Sequence, residues 1–156
     1  MLALRLLRVE REVQLVPSSR TTYQRIYVLL PPTADEAWFG VSGLSAFDRS
    51  VLTRMYGGVD PASLHATVTR EGEAVAIGRG VVADGHLAIY GMETVRAHRR
   101  RGLARTVIGA LARWASDQGA TRATLQVEVG NDGAHALYES MGLSDIYEYS
   151  YLALGV

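Results

Sequence analysis

Hydrophobic and polar positions change period twice along this chain. The first thirty residues alternate loosely, and LRLLRVE (4–10), EVQLVP (12–17) and QRIYVLL (24–30) read as strands, with SSRTT (18–22) as a turn before the last. Pro31 and Pro32 end that run. Thr33 or Asp35 then caps a helix with Ala37, Trp38, Val41 and Leu44 on one side, and FDRSVLTRMY (47–56) is a second short helix stopped by Gly57 and Gly58. After Pro61 the period becomes two: LHATVTREG, EAVAIGRGVVADG and HLAIYGMETV read as three antiparallel strands joined at Glu71-Gly72 and Asp84-Gly85. From Arg101 to Gln118 the apolar residues Leu103, Val107, Ile108, Leu111, Trp114 and Ala115 fall at helical spacing, with Gly119 placed as a C-terminal cap. TRATLQVEV is a β-branched strand, NDGAHALYESMG a short helix opened by Asn131 and closed by Gly142, and IYEYSYLAL a last strand. Strands and helices in this mixed order, without repeats or a linker, predict an α/β or α+β fold with a mixed sheet, as a single domain over residues 1–156.

Charge removes several functions from consideration. Sixteen basic residues balance sixteen acidic ones, so no global field favours a nucleic acid or a membrane surface. Any basic chemistry is local. All the basic residues are Arg, which keeps its charge and planar fork in any environment. There is no cysteine, hence no disulfide, thiolate metal site or Cys nucleophile. The opening MLALRLLRVEREVQLV is broken by charges, with neither a secretory apolar run nor a spanning segment, which predicts a cytoplasmic protein. No metal site is expected.

One stretch concentrates the arginines: VRAHRRRGLART (95–106) sets Arg96, Arg99, Arg100, Arg101 and Arg105 around Gly102, at the junction of a strand and the long helix. Unpaired N–H groups of a first helical turn, the positive end of the helix dipole and a bare glycine together suit a pyrophosphate. Taken alone, the run reads as a solvated basic turn.

The downstream stretch changes that reading. Arg99-Arg100-Arg101-Gly102-Leu103-Ala104, then Asn131, then Tyr138 seven residues later and Met141-Gly142-Leu143 follow in one order. Over roughly residues 72–152 the chain resembles the GNAT superfamily, the GCN5-related N-acetyltransferases. The resemblance implies a central, mostly antiparallel twisted sheet flanked by helices, with a splayed parallel strand pair at the acetyl-CoA site. Residues 1–71 then supply acceptor-side helices and early strands. Arg96 stands where many members have proline, and Ala104 replaces a more common glycine.

The resemblance also implies roles. Acetyl-CoA is the cosubstrate, its pyrophosphate held by Arg99, Arg100, Arg101, Gly102, Leu103, Ala104 and Arg105. Its pantetheine arm pairs with Met92, Glu93, Thr94 and Val95, Gly91 supplying a local bend, and Asn131 and Tyr138 complete the contacts. The reaction is acetyl transfer to a primary amine by direct attack in a ternary complex. Tyr138 is the proton donor to the departing thiolate; read from the residues alone, it packs equally well beside Ala134, Leu137 and Met141, and Asn131 serves equally well as an N-cap. Glu93 is the first candidate for the base, with Glu128 and a water chain as rivals. Related ribosomal-protein acetyltransferases carry Glu where this chain has Gln126, which cannot act so. His98 falls in the phosphate loop and His135 is expected at the surface. The acceptor is an amine on a small molecule or a peptide, entering near Trp38, Phe47, Tyr56 and the alternating Tyr147, Tyr149 and Tyr151. A homodimer is compatible with the family. The alternatives are an acyl-CoA-binding sensor or partner domain without turnover, and a nucleic-acid binder using Arg96–Arg105; zero net charge and the lack of interleaved aromatics oppose the latter.

Overall fold

The computed structural model describes residues 2–9, 26–29, 33–57 and 62–151. In chain order these form β1 (Leu2–Val9), β2 (Ile26–Leu29), α1 (Glu36–Ser42), α2 (Ala46–Gly57), β3 (Ala62–Arg70), β4 (Glu73–Ala83), β5 (His86–Thr94), α3 (Leu103–Asp117), β6 (Arg122–Glu128), α4 (Asp132–Glu139) and β7 (Ser144–Tyr151). The expected strand EVQLVP, the SSRTT turn, Pro31, Pro32 and Gly58 lie outside the described residues, as does the side chain of Tyr56.

Local chemistry explains most of the element boundaries. The β3–β4 and β4–β5 hairpins turn on Glu71-Gly72 and Asp84-Gly85, all four with positive φ, the conformation that two-residue hairpin turns demand. Asp35 caps α1 by accepting a 2.8 Å hydrogen bond from the Trp38 amide. Asn131 caps α4 by accepting from the Ala134 amide at 3.2 Å. The helix expected from Arg101 starts at Leu103, because Gly102 is left-handed (φ 76°) and a 3-10 turn over Arg96–His98 intervenes after β5. Gly119 (φ 82°) follows the C-terminus of α3 as expected.

The strands form one seven-stranded sheet in the order β2-β3-β4-β5-β6-β1-β7. All neighbours are antiparallel except β5 and β6, which run parallel. β1 lies between β6 and β7, with Leu4 opposite both Glu128 and Tyr149. One face is covered by α3, whose Val107, Ile108, Leu111 and Ala115 are buried against Ala76, Leu87, Ile89, Leu125 and Val127 of the sheet. Two strand glycines admit that helix: a Cβ on Gly78 would sit 2.7 Å from Val107 Cγ1, and one on Gly80 3.0 Å from Leu111 Cδ2. α1 covers the opposite face through Trp38 and Phe39, packed with Ile77.

Candidate acyl-carrier site

The site begins with a defect in β5. Ile77 pairs with Glu93 and Arg79 with Tyr90, so two steps along β4 face three along β5. That extra residue is a β-bulge. Gly91 carries the distortion at φ 57°, and a Cβ there would press on the Trp38 ring at 3.3 Å. The Trp38 indole reaches across to donate a long hydrogen bond, 3.4 Å, to the Gly78 carbonyl. Trp38, expected beside an acceptor, is instead 2% exposed and braces the bulge.

The parallel ladder ends at the same level. β5 and β6 pair from His86 with Arg122 to Ile89 with Leu125 and no further. Beyond Ile89 the two strands part, leaving Gly91 to Thr94 with β4 on one side only. Into the opening faces a cavity of about 620 Å³, walled by Met92, Glu93 and Thr94 of β5, by the loop and first turn of α3, by the cap residue Asn131, and by Gly133, Ala134, Ala136, Leu137 and Tyr138 of α4.

The start of α3 is built to be left open. Its first helical bond runs from the Thr106 amide to the Gly102 carbonyl at 3.1 Å, so the amides of Leu103, Ala104 and Arg105 have no partner within the helix. Gly102 supplies no side-chain cap, and a Cβ built on it would meet nothing within 4 Å. Compared with α4, which Asn131 caps, α3 presents bare donors and the positive end of its dipole to the cavity.

The surrounding charges divide into tied and free. Arg99 donates to Glu93 Oε1 at 2.9 Å and to the Thr94 carbonyl at 3.0 Å, joining loop to strand. Glu93 Oε1 also accepts from the Thr94 amide at 3.1 Å. Arg105 donates to Ser140 Oγ at 2.6 Å, joining α3 to the end of α4. Arg100, a non-glycine residue at φ 63°, lines the cavity without an ion pair among the described residues. Arg101 and Val95, both expected at the cofactor, do not line it. His98 does, with Nδ1 buried and without a hydrogen-bond partner among the described residues.

Tyr138 closes the inner end. It is 6% exposed and packs with Ala134, Leu137 and Met141, so the packing role read from the sequence is real. It also lines the cavity, so one ring belongs to both the core and the cavity wall. Burial raises its phenol above the usual value of 10.0. Gln126 and Glu128 are exposed on the face of β6 away from α3. His135, expected at the surface, is partly buried, its Nε2 2.9 Å from Asp145 Oδ1 on β7. Phe47 is 73% exposed, and Tyr147 and Tyr149 lie with ring centroids 5.9 Å apart. Sequence reasoning missed the small wall formed by Gly133, Ala134 and Ala136; its signal was the run of small residues in the first turn of α4. The Glu93–Arg99 tie was also missed, since six residues across a loop give no helical or strand spacing to read.

Among the described residues no helix is long and apolar enough to cross a membrane, and no cluster of His, Cys, Asp or Glu is placed to hold a metal ion. Over 76 residues, 49% of this chain and 31% of the relative, the sequence is 37% identical to the "Uncharacterized N-acetyltransferase YobR" of Bacillus subtilis (strain 168). The fold is similar to a GCN5-related N-acetyltransferase from Kribbella flavida, with TM-score 0.64, 24% identity, and 92% of this chain covering 54% of that one. It is also similar to the aminoglycoside N-acetyltransferase AAC(6')-Iy in complex with CoA, with TM-score 0.70 and 15% identity over 90% of this chain and 99% of that one. The chain thus spans about a third of the curated relative and about half of the Kribbella flavida protein. Residues 25–143 match the model of the acetyltransferase (GNAT) family, and the uncapped glycine turn, the bulged β5 and the parted parallel strands all fall inside that match, so the chain belongs to this family.

Proposed function

We propose that this chain transfers an acetyl group from acetyl-CoA to a primary amine. The observation that carries the reading is the uncapped, glycine-led start of α3 opening onto a cavity whose other wall is the unpaired edge of β5. The residues fit the group: bare amides and Arg100 suit its phosphates, and the β5 edge suits its amide-bearing arm. When bound, acetyl-CoA supplies an acyl thioester. Leu103, Ala104 and Arg105 offer their amides to the pyrophosphate, while Met92 to Thr94 align the arm and Leu103 and Leu137 exclude water. Tyr138, kept protonated by burial, holds its proton at Oη for the departing sulfur. Glu93, whose Oε1 is held by Arg99 and the Thr94 amide, takes the amine proton through Oε2.

The acceptor is a small-molecule or peptide amine that approaches from the face of the sheet opposite α3, where Tyr90, Gln126 and Glu128 are exposed beside the parted strands. Release of free thiol from acetyl-CoA across a panel of amines tests the reading, with Tyr138→Phe in parallel. Turnover on at least one amine that falls roughly a hundredfold in kcat in the variant, with little change in KM for acetyl-CoA, supports it. Binding of acetyl-CoA without release on any amine favours the sensor reading instead.

A further inference from the structure

We propose that Arg99 is a positioning residue for the acceptor step, aiming the Glu93 carboxylate at the amine instead of serving the phosphates of the cofactor. The inference rests on the acetyl-transfer reading above and gives a loop residue a different part in it. The family resemblance sets Arg99 among the pyrophosphate contacts, but the structure commits one edge of its fork elsewhere. Nη2 donates to Glu93 Oε1 at 2.9 Å and Nε to the Thr94 carbonyl at 3.0 Å. Nε and Nη2 form one of the edges by which a guanidinium grips an anion with two parallel bonds.

The backbone builds this contact from both sides. After β5 the Val95 amide bonds to the Val75 carbonyl at 3.0 Å, and the His98 and Arg99 amides then bond to the Val95 and Arg96 carbonyls at 2.8 and 3.3 Å. That 3-10 turn brings Arg99, itself extended at φ −63° and ψ 162°, back to the end of β5. The bulge decides which face Glu93 takes. Counted in regular register from the Tyr90–Arg79 pair, Glu93 would stand opposite Ala76, which packs with α3. The extra residue sets it opposite Ile77, which packs with α1, so Glu93 stands on the acceptor face. Its Oε1 accepts from both Arg99 and the Thr94 amide, and Oε2 has no hydrogen bond among the described residues. A glutamate at a strand edge rotates about several side-chain bonds, and two donors on one oxygen hold the carboxylate in a single orientation. Proton transfer from the amine to Oε2 depends on that placement. Folding does not: the two side chains are 56% and 42% exposed, and an ion pair so open to water adds little to stability.

A double-mutant cycle tests the proposal. Arg99→Gln, Glu93→Gln and the double variant are compared with the wild type in thiol release at saturating acetyl-CoA and amine, with calorimetric titration of acetyl-CoA and thermal melting in parallel. Arg99→Gln is expected to lower kcat by roughly tenfold, to leave the Kd for acetyl-CoA within about twofold, and to keep the wild-type Tm. In the Glu93→Gln background the same substitution is expected to change kcat no further, because there is no base left to aim. A tenfold loss that persists in that background, an unchanged kcat in Arg99→Gln, or a loss confined to affinity for acetyl-CoA overturns the positioning role and leaves the acetyltransferase reading standing. A wild type that releases thiol with no amine overturns both.

Discussion

Tyr138 belongs to the core and to the cavity wall at once, and the proposed proton transfer rests on that placement. Because burial raises its pKa, the folded state holds the phenolic proton more tightly than the unfolded chain does. Its contribution to stability is therefore fully present below about pH 10 and is lost as pH rises through the raised value. The same shift keeps the donor protonated at any working pH, so the pH–rate profile is expected to rise with deprotonation of amine and base and to show no falling limb from this residue below about pH 10. A falling limb between pH 7 and 9 that disappears in Tyr138→Phe would contradict the raised phenol, and a kcat unchanged in Tyr138→Phe would contradict its role as donor. At Glu93, replacement by Gln separates two roles. Loss of the proton acceptor lowers kcat by about a hundredfold and alters the acid limb, whereas a purely structural tie to Arg99 raises KM for acetyl-CoA and leaves kcat in place. The first result is expected.

At the scale of elements, close approach of α3 to β4 depends on the missing side chains of Gly78 and Gly80. Gly78→Val places atoms where Met92 and Val107 already lie and is expected to destabilise the fold by about 1–3 kcal/mol in chemical denaturation. Asn131→Ala removes the α4 cap and is expected to cost about 1 kcal/mol. The hairpins at Glu71-Gly72 and Asp84-Gly85, the Gly119 end of α3, and the Asn131 and Gly142 boundaries were legible in the sequence because each is set by neighbours in the chain. Gly91 was legible as a bend, but not as a residue under Trp38. A tryptophan at helical spacing announces an apolar face and says nothing of what that face touches. The start of α3 was read two residues early because charge and helical periodicity continue through Arg101 and Gly102, while the left-handed glycine ends the pattern only in backbone space.

For the molecule as a whole, the least legible feature is the position of β1. Its pattern marks a strand, but pairing with β6 and β7, more than a hundred residues away, has no local signal. That placement makes β1 an interior strand, flanked by β6 and β7 on its two sides from Leu4 to Arg8. Leu4→Pro is therefore expected to lower stability by about 1–3 kcal/mol for the orphaned partner, seen as a fall of several degrees in Tm. An unchanged Tm would argue against the sheet order. The same order sets β5 beside β6 and lets them part at the bulge, so cavity, bare helix start and buried phenol meet at one place. The central claim is that this place holds acetyl-CoA by the amides that follow Gly102. Calorimetric titration of acetyl-CoA into the wild-type chain and into Gly102→Glu, which sets a carboxylate at those donors, tests it most directly. Saturable one-to-one binding that is lost in a variant still folded by thermal melting is the predicted result; no binding to the wild type, or equal binding to both, would contradict it.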